Sequence, residues 1–231
     1  MGLERDNMTS KYLGQEGFYW FVGVVEDRDD PLKLGRVKVR IHNVHSDKKS
    51  VAPTSLLPWA HVMNSVHSAS LNNVGIAPVG MVVGTTVIGF FMDATDSNYP
   101  VIIGTLASQK ADGTTNLPLE ATGVNRANKD PYGVEPNTKF GAKYPYNKVM
   151  RTESGHVIEV DDSPNYERIH IYHKSGSYIE ISSDGRTVRK SKNDDFEVVI
   201  GNKSVDVKGD ITINATGNIT ITAGGALVLN P

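Results

Sequence analysis

Residues 201–231 read GNKSVDVK (201–208), GDITINAT (209–216), GNITITAG (217–224) and GALVLNP (225–231), with Gly201, Gly209, Gly217 and Gly225 one octad apart. Within each octad apolar residues fall at alternate positions: Val205 and Val207, Ile211 and Ile213, Ile219 and Ile221, Leu227 and Leu229. Between them stand Ser204, Asp206, Thr212, Asn214, Thr220 and Thr222. A period of two is the mark of a strand with one apolar face. Asn202, Asp210 and Asn218 each follow a repeat glycine, which predicts a corner where positive φ is cheap. Lys203 is the exception in the apolar phase, at the start of the repeat.

Four such strands cannot close a core alone, because a thin ribbon leaves one apolar face and both backbone edges open. Three intertwined copies, each giving one strand per turn, would bury Val205, Val207, Ile211, Ile213, Ile219, Ile221, Leu227 and Leu229 along a common axis, with the glycines at triangular corners. The absence of any aromatic residue after Phe196 fits so narrow an axis. The competing reading is a single-chain antiparallel meander with coincidental spacing. Residues 211–231 carry no charge, so the end of such a helix exposes strand edges and an apolar cross-section that call for a cover seated on Ala226, Leu227, Val228 and Leu229.

Upstream, short β-branched runs bounded by Gly, Pro, Asn and Asp recur, and no window holds a helical apolar pattern. The chain is expected to be all-β. Runs at 20–26, 36–44, 57–63, 81–92 and 101–106 predict five strands of a small OB-type barrel over 18–107, with 78–92 a buried strand pair. In the second run Val37, Val39 and Ile41 alternate with Lys38, Arg40 and His42, predicting one wet face. Residues 1–17 form an N-terminal arm, polar and without an apolar segment, so no signal peptide is expected. Residues 108–143, rich in Gly, Pro, Asn, Thr and Lys, read as an extended linker lying on a surface. Strands separated by turns at Ser175-Gly176 and Asp184-Gly185 follow in a transition region, 144–198, which leads into the octads at 199–231.

Composition narrows the chemistry. Among 231 residues there is no cysteine, which excludes disulfides and thiolate zinc sites; 24 basic against 26 acidic residues give a net charge of -2, with no global pull toward nucleic acid. His42 and His45, like His170 and His173, are three apart and fall on opposite faces of a strand, so no metal site is expected. Glu159, Asp161 and Asp162 beside Pro164 read as an acidic turn, with a cryptic glycan-hydrolysing pair as the enzyme alternative. A second alternative is an OB nucleic-acid module stacking bases on Phe18, Tyr19, Trp20 and Phe21 beside Lys38 and Arg40. No nucleophile elbow or phosphate loop is present, and neither catalytic residues nor cofactors are expected.

The stretch WFVGVVEDR (20–28) followed by DPLKLGRV (30–37) resembles the opening of the OB domain in central spike proteins of contractile-tailed phage baseplates, the family of the cell-puncturing tail lysozyme. Tyr144-Pro145-Tyr146, Glu153-Ser154-Gly155-His156, Asp161-Asp162-Ser163-Pro164, Glu167-Arg168 and Ser175-Gly176-Ser177-Tyr178 are similar to that family's approach to its triple-stranded β-helix and to its type VI secretion relative, VgrG. The resemblance implies a homotrimeric spike in the virion tail baseplate, assembled in the bacterial host cytoplasm. It further implies OB domains docked on a separate ring-shaped hub, a PAAR-repeat-like tip protein at the far end, and transient contact with the bacterial envelope. In lysozyme-bearing members a muramidase domain separates the OB domain from the helix, whereas here that interval is 108–143, so its catalytic carboxylates have no counterpart. A spike core of a type VI-like injection machine is the runner-up reading.

Overall fold

The computed structural model describes residues 17–72, 74–107, 123–124 and 135–228. The chain divides into two compact units, Met1–Pro118 and Leu119–Pro231. Among the described residues the regular elements are ten β-strands and two single turns of 3-10 helix, as the all-β expectation requires.

In the first unit β1 (Tyr19–Asp27), β2 (Val37–Ile41), β3 (Trp59–Val62), β4 (Thr86–Phe91) and β5 (Pro100–Leu106) close a barrel in the order β1-β2-β3-β5-β4. β3 and β5 pair parallel, and the other neighbours antiparallel. β1 closes the barrel by pairing with β2 on one edge and β4 on the other, and Gly23 sits in both registers. A Cβ there would lie 2.5 Å from Val39 Cγ1 and 2.6 Å from the Arg40 carbonyl, so the tight approach of β2 needs a glycine. Phe21, Val25, Val37, Val39, Ile41, Ala60, Met81, Val87, Phe91 and Ile102 fill the interior.

Two expectations fail here for physical reasons. The run 81–92 is a strand only from Thr86, because Gly84 adopts φ +93 and breaks the extended backbone; the strand pair expected over 78–92 is one strand preceded by a loop. The outer face of β2 is also dry. Lys38 Nζ donates to the Ser55 carbonyl (2.7 Å) above the Trp59 ring, and Arg40 pairs with Glu26 (2.8 Å) while donating to the carbonyls of Ser46 and Ala52. The loop between β2 and β3 thus folds back and uses both cations.

The second unit is an antiparallel meander of β6 (Asn147–Arg151), β7 (Val157–Asp161), β8 (Arg168–Tyr172), β9 (Tyr178–Ser182) and β10 (Thr187–Lys190), paired in chain order. Gly176 and Gly185 take positive φ in the two turns expected of them. Glu159 and Asp161 correct the sequence reading: they lie within β7 rather than in a turn. From 191 to 228 no strand forms in the single chain, yet the backbone bends at 200–201, 208–209, 216–217 and 224–225, in step with Gly201, Gly209, Gly217 and Gly225. None of these glycines adopts positive φ, which corrects the reason the sequence suggested for them.

Candidate functional site

The second unit's sheet is amphipathic in the unusual sense. Ile158, Val160, Ile169, Ile171, Ile179 and Ile181 all point to one face, which no part of the described chain covers, and all are exposed there. The register stacks them in two rows across the strands. Val160 faces Ile169 and Ile169 faces Ile181; Met150 faces Ile158, Ile158 faces Ile171, and Ile171 faces Ile179. Lys148 ends the first row and Arg189 the second, so charge appears only at the sheet's edge strands. Contiguous apolar rows of this kind mark an interface rather than a solvated surface.

The opposite face buries charge. Glu159, His170 and Glu180 form one row across β7, β8 and β9, with Asp161 and Arg168 in the next, and all five side chains are buried. Arg168 joins them: its Nη2 donates to Glu159 Oε2 (2.7 Å) and its Nη1 to Glu180 Oε2 (3.2 Å). The His170 Nδ1 lies 3.6 Å from Glu159 Oε2. Burial pushes the Glu159 carboxyl up, but the imidazole of His170 and the guanidinium of Arg168 outweigh it and hold the pKa at about 2.

Described parts of the 108–143 segment form the lid on these charges. Val124 N–H donates to Glu159 Oε2 and its carbonyl accepts from Arg168 Nη1 (3.0 Å). Thr138 Oγ1 donates to Glu180 Oε2 (3.1 Å), and the Phe140 ring lies 4.8 Å from the Arg168 guanidinium carbon. Toward β10, Glu135 accepts from the Tyr178 hydroxyl (2.8 Å) and pairs with Lys190. Toward β6 and β7, Lys143 N–H donates to Ser163 Oγ (2.8 Å). Residues 123–124 and 135–143 thus form a strap that supplies partners to Glu159, Arg168 and Glu180 on the polar face.

The residues singled out for the trimer core are brought to no common interior in the single chain: Val205, Val207, Ile211, Ile213, Ile219, Ile221 and Leu227 are exposed, as is Val228. Leu229 lies outside the described residues. Around Gly201, Gly209, Gly217 and Gly225 nothing approaches within 4 Å of a built Cβ. Of the residues named for base stacking, Lys38 and Arg40 are consumed internally and Phe21 lies in the core, while Phe18, Tyr19 and Trp20 are exposed, with Phe18 and Trp20 packed on Phe90. His170 is buried within the sheet and His173 lies in the next turn, beside His156 with ring centroids 4.4 Å apart. Both Nδ1 atoms accept backbone N–H bonds there, from Lys174 and Ser175. No cluster of three metal-ligating side chains occurs among the described residues.

The inside-out sheet escaped the sequence reading. The strings VIEVD, RIHIY and YIEIS announce period two, but a period alone does not say which face is buried. The available signal was charge: acids and bases in matching phase on neighbouring strands can neutralise one another under a cover.

The family described as the Gp5 N-terminal OB domain matches residues 40–195, from β2 through the second unit's sheet. Protein Gp5 of Vibrio phage KVP40 is 34% identical over 275 aligned residues, covering 87% of this chain and 64% of that protein. The pre-baseplate central spike protein Gp5 of Enterobacteria phage T4 is 44% identical over 91 residues, covering 37% of this chain and 16% of that protein. The chain therefore spans less than two thirds of either relative.

Proposed function

The chain belongs to the Gp5 family of phage baseplate central spike proteins, and from that premise we propose that it is a non-enzymatic, homotrimeric spike of a contractile tail baseplate. The observation that carries the trimer is the uncovered apolar face of the second unit's sheet, followed in sequence by the equally uncovered octad stripe. A domain that buries its ion pairs and leaves its isoleucines to water has its folding completed by other copies. Half-burial of each isoleucine on association is worth about 1 kcal/mol, and several rows in three copies add to a strong drive.

The octad glycines support the same reading. In the single chain neither left-handed backbone nor an intrachain neighbour demands a glycine at the four bends. A demand that arises eight residues apart and not within the chain is met by close backbone approach from neighbouring copies, at the corners of an intertwined needle.

In this reading 18–107 is the OB domain that docks on a separate ring-shaped hub, 108–143 is the strap, 144–198 is the transition and 199–231 the needle. Ala226, Leu227, Val228 and Leu229 seat a PAAR-repeat-like tip, and contraction drives the needle into the bacterial envelope. The assembly forms in the host cytoplasm and ends in the virion tail.

Light scattering on the purified chain, with an unboiled detergent gel of the same sample, tests the proposal. A species of three times 25.1 kDa that survives cold detergent is expected, and a monomer overturns the reading. A zymogram on cell-wall substrate should stay uncleared.

A further inference from the structure

The barrel carries, side by side, a hydrogen-bonded loop with two exposed leucines and an apolar groove. This loop, the finger, is the β1–β2 connection. Asp30, buried at its base, accepts the backbone N–H of Leu32 (3.0 Å), Leu34 (2.8 Å) and Arg36 (3.2 Å) and pairs with the Arg36 guanidinium at 2.7 Å. These bonds hold Lys33 and Gly35 in positive φ (55° and 74°) and keep the Asp30 carboxyl well below the usual carboxylate range. The result is a preformed loop whose Leu32 and Leu34 stand out into solvent, 62% and 55% exposed. Fixing two leucines in water by so many bonds to one carboxylate makes structural sense where the loop is presented to something.

The groove, of about 500 Å3, is lined by Val62, Met63, Pro78, Met81, Ile102 and Ile103 together with Thr85 just before β4 and Thr105 of β5. No charged residue lines it. It belongs to a wider neutral region, because residues 50–92 contain no Asp, Glu, Lys or Arg at all. Val66, at 96%, and Val79 and Val83 on the same connection are exposed as well. Pro78 belongs to both features: it lines the groove, and a Cβ on Gly35 at the finger's base would meet Pro78 Cγ at 2.5 Å.

We propose that Leu32 and Leu34 of one copy dock in this groove of the next copy, in a head-to-tail ring of OB barrels. The proposal rests on the trimeric reading above and adds to it an interface in the barrel. Three observations favour a second copy over a foreign partner. Finger and groove match in chemistry, two aliphatic side chains for an uncharged aliphatic slot, and both come with every copy of the chain. They lie on adjoining surfaces joined at Pro78, which is where two different patches must lie if each meets a neighbour close to a threefold axis. And the finger is preorganised, so little ordering entropy opposes its insertion.

Because the chain has no cysteine, the contact can be read without background. One tagged copy carries Leu34→Cys and a differently tagged copy carries Ile103→Cys; the two are coexpressed full length and treated with a short bifunctional maleimide, which tolerates distances a disulfide does not. A cross-linked product bearing both tags is expected, with Leu34→Cys alone giving no linked dimer. An oligomer of correct mass without the mixed product, or with Leu34→Cys linked to itself, overturns the head-to-tail contact while leaving the trimer standing. A monomeric mass removes both. As a second measurement, Leu32→Asp added to the Leu34→Cys copy, at an exposed position, should leave the barrel's tryptophan fluorescence unchanged and abolish the mixed cross-link to the Ile103→Cys copy.

Discussion

The two units solve opposite problems with the same kind of strand. The barrel joins β1 to both β2 and β4, removes its edges, and puts Phe21, Val39, Ile41 and Val87 inside. The sheet of the second unit keeps two edges, puts Glu159, Arg168, His170 and Glu180 inside under a strap, and turns Ile158, Ile169, Ile171 and Ile179 outward. A closed barrel completes its ladder and its core within one copy. A sheet that buries its charges privately and leaves its apolar rows public is, in the proposed trimer, half of an interface, and the octads extend the same condition to a segment with no ladder of its own.

The sharpest way to break this comparison is to charge the public face. Ile171→Asp with Ile179→Asp, or Ile213→Asp with Ile221→Asp, would place like charges from every copy in the proposed trimer contact, where burying an unpaired carboxylate is prohibitive. Complete loss of the trimeric mass by light scattering is expected from either pair. Trp20 and Trp59 are the chain's two tryptophans and both lie on barrel strands, so their fluorescence should report an intact barrel in the same samples. A trimer that survives both double substitutions would mean that these rows face solvent.

Next in size is the private face. Arg168→Met leaves Glu159 and Glu180 buried without their shared cation, and breaking a buried pair by removing one partner costs about 3–5 kcal/mol. Far-UV circular dichroism should show an earlier unfolding transition while the tryptophan transition keeps its position. Coincident shifts of both would show that the two units unfold as one.

Acid reaches the same network from the other side. The Glu159 pKa is lowered from 4.5 to about 2, so its ionised form contributes stability that is whole above pH 4.5 and is lost as pH falls through about 2. The difference corresponds to about 3 kcal/mol. Glu26 in the barrel, held at about 2 chiefly by its hydrogen bond to Arg40, titrates over the same window with the same sign. Glu159→Gln should flatten the acid limb seen by circular dichroism and leave the limb seen by tryptophan fluorescence.

Legibility in the sequence follows the same division. Barrel strands were readable because turn formers bracket them, as at Asp30-Pro31 and Gly35, and because Val37, Val39 and Ile41 face the core as their alternation predicts. What was not readable was tertiary satisfaction of polar groups. Lys38 and Arg40 look solvated until the loop carrying Ser46, Ala52 and Ser55 folds over them. Glu159 and Glu180 look like the wet side of a strand until Val124 and Thr138, distant in sequence, supply their partners. The octads were legible as a repeat because period and composition are local, and the bends at the four glycines keep that period.

The smallest effect tests whether the strap is a cover or a passenger. The Tyr178 hydroxyl donates to Glu135 Oε2 at 2.8 Å, next to the Glu135–Lys190 pair, and fixes the strap near the β9–β10 edge. Tyr178→Phe keeps the ring in its buried place and removes one hydrogen bond to a charged acceptor, so the second unit should lose about 1–2 kcal/mol. The loss should appear in circular dichroism alone, and hydrogen exchange should quicken at Val124, whose N–H is tied to Glu159 under the same strap. If the amide of Val124 exchanges as slowly as before, each end of the strap holds independently. If it quickens together with the amides of β8, strap and sheet open as one unit, and the buried charges keep their partners only while the whole cover is down.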